Sequence, residues 1–417
     1  MNPRKPIYAV LAAGLVVILA LTFTPYALVT RARKAVAAYI VVPESDALKE
    51  LAAATPTQTP PFDVTRWYSE RADDPARHAL LVQSLDGKTT FAEHNADVAL
   101  NPASLVKLST TLVSLKRLGK DFRFETKVYI DGAADKSGAL SGRIVVAGSD
   151  PTFGDFHATL ISKKLAELGV KKFTGELVVS PDFTFNFSDK PDESASRLAK
   201  VLKFEPKTIT VEAATTLAPA FVVRSYTLRD ILLYMNAHSS NFVAEHLGAL
   251  VGGPDGVRDF LVNELKLSPD QVTLATASGL EVNRLTARGL VTIIRALEEE
   301  TQRQGLQLVD IMPVASGDYG TLRRRMAGTP LEGAVIGKTG TLVHDDGGMA
   351  SLGGIVNTQK HGKVCFVILN QGSGVAESRQ LTDQLLAEII LAQDTPAPIP
   401  MPDKPRHQLE SANLEIR

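Results

Sequence analysis

The longest apolar stretch of the chain lies near its N-terminus, where residues 7–29 carry no charged side chain. About 20 apolar residues suffice to cross a bilayer as a helix, so this pattern predicts a membrane segment. Arg4 and Lys5 precede the stretch and Arg31 follows it, so the charges on its two sides orient it only weakly. We predict a signal anchor within residues 1–34, with a cleaved signal peptide as the alternative. Residues 35–65, which include a run rich in threonine and proline, are predicted to form a stalk or linker.

Alternating and β-branched positions predict strands at both ends of the folded part. Residues 79–84 and 89–94 flank an Asp-Gly pair, which is the turn signal of a β-hairpin. Near the C-terminus, three apolar runs predict three neighbouring strands: 334–341, 349–357 and 363–370. A helix over residues 377–392, apolar on one face, is predicted to close the fold.

Helical patterns occupy two regions, and a β-rich block separates them. The first helix begins at Asn101, a good cap, and Pro102, which suits a first turn, and it ends near Gly119. The second helical region covers residues 227–300. The β-branched and aromatic content of residues 117–207 predicts an inserted β-rich subdomain.

The order of these elements predicts an α+β fold. One interrupted domain, residues 66–116 and 208–395, would surround the insertion. Residues 396–417 are rich in proline and charge, so we predict a disordered tail.

The amino-acid composition indicates an ordinary globular protein and argues against a nucleic-acid-binding one. Hydrophobic residues make up 44% and charged residues 22% of the chain, which is ordinary for a protein with a buried core. With 45 basic and 46 acidic residues, no net charge draws the chain to nucleic acid, and we expect no nucleic-acid partner. Cys365 is the only cysteine, so no disulfide can form within the chain, and its apolar neighbours predict an inert buried thiol.

The first candidate for chemistry is Ser104-Leu105-Val106-Lys107. The spacing alone is weak evidence, since about one chance occurrence is expected in a chain of this length. Its position at the start of the first helix places Ser104 and Lys107 on one face. A serine hydroxyl becomes a nucleophile when a neighbouring base takes its proton, and a lysine can be that base if burial or a nearby cation lowers its pKa.

The second candidate, Ser239-Ser240-Asn241, lies at the junction of two helical segments. A helix cap explains the string when it is considered singly. In the functional hypothesis, the Ser239 hydroxyl relays protons between the lysines and the leaving group, and the Asn241 amide contacts the substrate backbone.

The third candidate, Lys338-Thr339-Gly340-Thr341, is the most specific. A phosphate-binding loop is rejected, because only three residues separate the two preceding glycines, where such a loop has four, and because strands follow. On an edge strand, glycine lets an extended peptide approach and pair with the strand. Lys338 and the Thr339 hydroxyl would then hold a terminal carboxylate.

Other catalytic signatures are missing from the sequence. It contains no Gly-x-Ser-x-Gly elbow, which argues against an α/β-hydrolase, and no spacing typical of zinc ligands. The polar string at residues 344–348, between two predicted strands, is interpreted as a hairpin turn and not as a metal site. We therefore expect no metal or other cofactor.

In this order the three motifs resemble those of the serine-type D-Ala-D-Ala carboxypeptidases, the low-molecular-mass penicillin-binding proteins. Longer strings resemble one branch, the family that includes penicillin-binding protein 4 (peptidase family S13) and carries an insertion after the nucleophile. The resemblance covers roughly residues 75–392, and the strings that carry it are 100–104, 119–124, 146–152, 174–179, 278–280, 283–287, 312–315 and 320–322. The insertion is shorter than the family's usual one, and Thr276-Ala277 stands where an aspartate–glycine pair is common.

The resemblance implies a transpeptidase/β-lactamase-like fold, with an antiparallel sheet flanked by helices, an all-helical lobe, and a site between the two. It implies that a peptidoglycan stem peptide ending in D-Ala-D-Ala acylates Ser104 and releases D-alanine, after which water frees the enzyme. Lys107 would be the base and Ser239 the proton relay. β-Lactams would bind as covalent inhibitors of Ser104.

The resemblance also implies a set of substrate-binding residues: Asn241, Lys338, Thr339, Gly340 and Thr341. Asn241 would orient the peptide, and the third motif would hold its carboxylate. The backbone N–H groups of Ser104 and Thr341 would form an oxyanion hole. Such an enzyme would act in the periplasm or elsewhere outside the cytoplasm, anchored to the inner membrane by residues 7–29.

We therefore predict a D-Ala-D-Ala carboxypeptidase, with endopeptidase action on peptide cross-links as a further activity. Two alternatives stay open. One is a β-lactamase or related esterase of the same fold, which would need fast deacylation. The other is a catalytically weak cell-wall-binding or sensor protein that uses the same cleft.

Overall fold

The computed structural model describes residues 60–417, apart from 214, 373, 402–405 and 407–408. The predicted membrane segment and most of the predicted stalk, within residues 1–59, lie outside the described residues. No helix in the described part is both long enough and apolar enough to cross a bilayer.

The described residues form nine α-helices and fifteen β-strands, several of them very short. The helices α1 to α9 are Val64–Ser69, Val106–Leu118, Asp155–Glu167, Pro191–Leu202, Leu228–His238, Asn241–Leu250, Gly253–Asn263, Ala287–Arg303 and Val375–Leu391. The strands β1 to β15 are His78–Ser84, Thr90–His94, Ala99–Leu100, Glu125–Asp131, Ala139–Leu140, Arg143–Ala147, Lys172–Phe173, Glu176–Val179, Thr208–Val211, Phe221–Arg224, Leu285–Thr286, Val335–Leu342, Met349–Asn357, Lys363–Gln371 and Glu415–Ile416.

A five-stranded antiparallel sheet, in the order β12-β13-β14-β1-β2, forms the centre of the molecule. Successive side chains of a strand point to opposite faces, and here both faces are buried. Ala79 and Leu81 of β1 pack into a core with the helical lobe, whereas Leu80 and Val82 pack into a second core with α1 and α9. The predicted antiparallel sheet flanked by helices is therefore confirmed, as are the hairpin and the three C-terminal strands.

Cys365, on β14, is fully buried in the first of these cores. Burial raises the pKa of its thiol to about 12. The prediction of a buried cysteine is confirmed, and the raised pKa disfavours the reactive thiolate.

The all-helical lobe packs against one face of this sheet and contains α2, α5, α6, α7 and α8. A short 3₁₀ turn, Ala103–Leu105, leads into α2, and the Asn101 side chain accepts a hydrogen bond from the Ala103 N–H at 3.0 Å. The helix ends at Gly119, whose φ of 82° is readily adopted only by glycine. The predicted end of the nucleophile helix is thus confirmed, whereas its predicted start at Asn101 and Pro102 is wrong, because the 3₁₀ turn that carries Ser104 precedes the α-helix, which begins at Val106.

The insertion forms a second sheet with its own core, in the order β15-β10-β4-β6-β8-β9. Strands β6, β8 and β9 are parallel, and α3 and α4 supply the crossovers that parallel strands need. The sheet continues beyond the predicted boundary at residue 207, because β9 and β10 belong to it.

The prediction of a disordered C-terminal tail is wrong for its described residues. Glu415–Ile416 pairs with the edge of β10, and Glu415 forms a 2.9 Å ion pair with Arg224. Nearer the start of the tail, the Ile399 N–H donates to the Gly333 carbonyl at 2.8 Å. Proline and charge mark a segment that forms no core of its own, but an unpaired sheet edge offers it hydrogen bonds.

Candidate active site

The three motifs meet where the 3₁₀ turn before α2, the α5–α6 junction and strand β12 come together. Ser104 lies in the turn, Ser239 ends α5, and Lys338 lies on β12. Two positions here have left-handed backbones that non-glycine residues rarely adopt, Ala103 with φ 51° and Ser239 with φ 54°. Such strain persists only when the surroundings impose it, and it is typical of functional sites.

Lys107 is fully buried, and three oxygen atoms surround its Nζ. The distances are 3.0 Å to Ser104 Oγ, 2.7 Å to Asn241 Oδ1 and 2.6 Å to the Ser278 carbonyl oxygen. Amide and carbonyl oxygens only accept hydrogen bonds, whereas a hydroxyl can also donate one. A neutral Lys107 amine therefore points its two hydrogens at Asn241 and Ser278, and its lone pair at Ser104.

The protonation of Lys107 fits this arrangement. Burial lowers the pKa of its ammonium to about 7, although the negative charge of Glu245 opposes the shift. Near neutral pH a large fraction of Lys107 is then the free amine. The geometry can therefore accept a proton from Ser104, which makes Ser104 a candidate nucleophile.

Lys338 is also fully buried, and it faces Ser239. Its Nζ donates to Ser239 Oγ at 2.8 Å and to the Thr339 carbonyl at 2.7 Å. Burial, and then the nearby charge of Lys107, lower the pKa of Lys338 well below its ordinary value. Each lysine thus contacts one of the two hydroxyls: Lys107 contacts that of Ser104, and Lys338 contacts that of Ser239.

Gly340 permits a close contact inside the protein. A Cβ at this position would lie 2.6 Å from the Pro102 carbonyl oxygen and 2.0 Å from Ser351 Oγ. The sequence predicts that the absence of a side chain at Gly340 lets a substrate backbone approach. The structure shows a second reason why this position requires glycine. The missing side chain lets the turn that carries Ser104 pack directly on β12.

Replacing Gly340 by alanine is expected to lower the free energy of unfolding by about 1–3 kcal/mol, because overpacking must displace the backbone at Pro102. Urea unfolding measures the change. Gly374→Ala is the control, since the nearest atom to its added Cβ is a Glu377 oxygen at 3.5 Å. Equal stability of the two variants would contradict the packing role of Gly340.

Two acidic residues that the sequence did not single out organise the site. The Glu245 carboxylate accepts hydrogen bonds from the N–H groups of Ser278, at 2.9 Å, and Ala277, at 3.3 Å. It thereby fixes the Ser278 carbonyl that contacts Lys107. Glu245 lies four residues after Asn241 on α6, and this spacing, which places both on one helix face, was the signal that could have found it.

The second acidic residue, Asp346, lies in the β12–β13 connection, where the predicted hairpin turn is confirmed. Arg284 donates to both of its carboxylate oxygens, at 2.8 and 3.0 Å, and Asn101 Nδ2 donates to one of them at 2.9 Å. Burial alone would raise the pKa of Asp346, but these hydrogen bonds and the Arg284 charge outweigh it and lower the pKa. Asp346 therefore ties the turn before Ser104 to the end of β12.

A cavity of about 460 Å³ opens beside the Ser239 turn. His238 and Tyr234 of α5 line one side, and Phe156 and Phe187 of the insertion line another. The Phe187 and Tyr234 rings stack with centroids 5.9 Å apart. The insertion thus packs against α5, the helix that ends at Ser239. Among the described residues, no group of three or more His, Cys, Asp or Glu side chains is placed to hold a metal ion.

Curated proteins similar to this chain include two mycobacterial carboxypeptidases. DacB of Mycolicibacterium smegmatis is 30% identical over 202 residues, which is 44% of this chain and 42% of the relative. The alignment thus spans less than half of that relative's length. A Mycobacterium tuberculosis carboxypeptidase, Rv3627c, is 25% identical over 84% of this chain and 86% of its own length.

Solved structures share the fold. The Bd3459 predatory endopeptidase of Bdellovibrio bacteriovorus has a TM-score of 0.69 at 20% identity and covers 81% of this chain and 98% of its own. Penicillin-binding protein 4 of Haemophilus influenzae has a TM-score of 0.60 at 18% identity, over 75% and 96% of the two chains. The D-Ala-D-Ala carboxypeptidase 3 (S13) family matches residues 68–194 and 196–389, which include all three motifs. The chain therefore belongs to the D-Ala-D-Ala carboxypeptidase 3 (S13) family of peptidases.

Proposed function

We propose that this chain is a serine-type D-Ala-D-Ala carboxypeptidase that acts on peptidoglycan stem peptides through an acyl-enzyme. The observation that carries the proposal is the environment of Lys107. Two of its three polar neighbours only accept hydrogen bonds, so its lone pair faces Ser104 Oγ at 3.0 Å. A buried amine with a pKa of about 7 is matched to proton abstraction at neutral pH.

The proposed reaction has two stages. Ser104 Oγ attacks the carbonyl carbon of the penultimate D-alanine, and Lys107 takes the hydroxyl proton. The carbon–nitrogen bond then breaks, the nitrogen receives a proton through Ser239, and D-alanine leaves. Water attacks the Ser104 ester, which releases the shortened peptide as a carboxylate and returns a proton to Ser104 Oγ.

Strand β12 is the proposed docking edge for the peptide. Residues 313–315 cover its beginning, with the Gly337 N–H donating to the Pro313 carbonyl at 3.1 Å. Beyond Gly337, no described strand pairs with this edge. An extended peptide can therefore add to the edge at Thr339–Thr341, and Asn241, whose Oδ1 lies 2.7 Å from Lys107 Nζ, is the proposed contact for its backbone. The N–H groups of Ser104 and Thr341 are the proposed oxyanion hole.

The test is to incubate the protein with a diacyl-L-Lys-D-Ala-D-Ala peptide and, separately, with fluorescent penicillin. The proposal predicts D-alanine release and a stable penicillin adduct. Rapid penicillin hydrolysis with no D-alanine release would instead indicate a β-lactamase. Absence of both reactions would leave only a binding or sensor role. A cross-linked peptide dimer tests endopeptidase action, which the likeness to the Bdellovibrio predatory endopeptidase favours.

Substitution of Asp346 tests whether this residue positions the Ser104 turn. The variant Asp346→Asn loses the charge that Arg284 pairs with, so we expect acylation by penicillin to slow by about 10-fold or more as the Ser104 turn loosens. Stopped-flow or gel-based labelling measures the rate. The matched control is Asp270→Asn, in an exposed turn that forms no described ion pair. An unchanged acylation rate in Asp346→Asn would refute this positioning role.

The proposed place of action is outside the cytoplasm, where peptidoglycan lies, with residues 7–29 as an inner-membrane anchor. The support for the anchor is the uncharged apolar run, which lies outside the described residues. Fractionation of cells with and without residues 1–34 tests it. Recovery of the full-length protein in the soluble periplasmic fraction would contradict the anchor and favour a cleaved signal peptide.

A further inference from the structure

Arg379 lies on the first turns of α9 and reaches the third motif. Its guanidinium donates to Thr341 Oγ1 at 2.9 Å, from an exposed position. In the described part of the chain, no carboxylate forms an ion pair with Arg379. No described carboxylate therefore neutralises the positive charge next to β12.

Contacts with Arg325 hold the helix that carries Arg379 in place. Arg325 is almost fully buried and forms a bidentate ion pair with Asp383 on α9, and it also donates to the Arg379 carbonyl at 3.4 Å. Arg379 therefore extends from a fixed backbone. A preorganised guanidinium loses less freedom on binding an anion than one on a mobile loop.

Lys338, the cation that the motif itself provides, is oriented differently. Its side chain has no exposed surface, and two of its three N–H donors are used by Ser239 Oγ and the Thr339 carbonyl. Burial and the proximity of Lys107 also lower the pKa of Lys338 well below that of a surface lysine. Lys338 is thus placed to serve Ser239, and it is a poor counter-charge for an incoming carboxylate.

We infer that Arg379, together with the Thr341 hydroxyl, binds the C-terminal carboxylate of the substrate and so sets the preference for a free carboxyl terminus. An arginine suits this task, since it stays charged at all accessible pH values and its planar fork matches a carboxylate. A bound carboxylate would accept hydrogen bonds from the guanidinium and from Thr341 Oγ1. The inference rests on the proposed function, because it assumes that the peptide terminus lies at this end of β12.

The test compares benzylpenicillin, which carries a carboxylate, with its methyl ester, which does not. In Arg379→Gln we expect acylation by benzylpenicillin to slow by about 10- to 100-fold, the range for one lost charge-assisted interaction. Acylation by the ester should stay as it is in the unmodified protein. The same loss of selectivity is expected for D-Ala-D-Ala peptides with a free terminus over those with an amidated one.

Two further variants sharpen the result. Arg379→Lys keeps a charge without the fork and should recover part of the selectivity, whereas Arg324→Gln, an exposed arginine nearby in sequence to Arg325, should change neither rate. Equal slowing with acid and ester would mean that Arg379 only orients Thr341, and no slowing would mean that it plays no part. Either result overturns the inference. Failure of the unmodified protein to react at all would overturn the proposed function instead.

Discussion

Replacing Ser104 by alanine is expected to abolish covalent penicillin labelling and to lower D-alanine release by about 10⁴-fold or more, because no oxygen remains to form the acyl-enzyme. The fold should survive, since Lys107 is the one described side chain that forms a hydrogen bond with Ser104 Oγ. Gel fluorescence and a D-alanine assay measure the two effects.

Ser109→Ala is the matched control for Ser104→Ala. Ser109 lies on α2, the helix that follows the Ser104 turn; it is fully buried, and its Oγ has no hydrogen-bond partner in the described structure. Removing that hydroxyl should leave labelling and D-alanine release unchanged. Labelling that persisted in Ser104→Ala would place the nucleophile elsewhere and contradict the proposed mechanism.

The second large effect concerns Lys107. Replacing it by methionine keeps the buried volume but removes the base, so acylation should slow by about 10²- to 10⁴-fold. In the unmodified protein, the acylation rate should rise with pH through a midpoint near 7. The sign follows from the chemistry, because the free amine is the active form and burial lowers the lysine pKa to about 7, so the active fraction grows as the pH increases.

Penicillin acylation rates, measured from about pH 5.5 to 9, test the Lys107 prediction. Lys116→Met is the control, since Lys116 lies on the same helix but is partly exposed and pairs with Glu264 at 3.5 Å. It should show the same pH profile as the unmodified protein. A profile that is flat across this range, or one that has no midpoint near 7 and is still rising at pH 9, would show that Lys107 is not a base with a depressed pKa.

Local pattern was enough to predict the central sheet and the helix that follows the Ser104 turn. Alternation, turn signals and capping between neighbouring residues predict three features: the β1–β2 hairpin, the three C-terminal strands and the cap at Asn101. These features depend on contacts between residues close in the chain or on burial of whole strand faces.

The features that escaped prediction depend on distant partners. The tail pairs with β10 because Arg224 and Glu415 meet across 191 residues, and nothing in the tail itself signals this contact. Asp346 seemed part of a solvated turn, yet Asn101 and Arg284 bring it into the site. The contact between Lys338 and Ser239 likewise follows from packing. The spacing of the motifs alone could not show whether Lys338 faces Ser239 or the substrate.

The central claim is that Ser104, activated by Lys107, is the residue that becomes acylated. Its most direct test is to treat the protein with benzylpenicillin near neutral pH, digest it, and locate the adduct by mass spectrometry. The prediction is one penicilloyl group per chain, attached to Ser104. An adduct on any other residue, or none under conditions where the protein is folded, would contradict it.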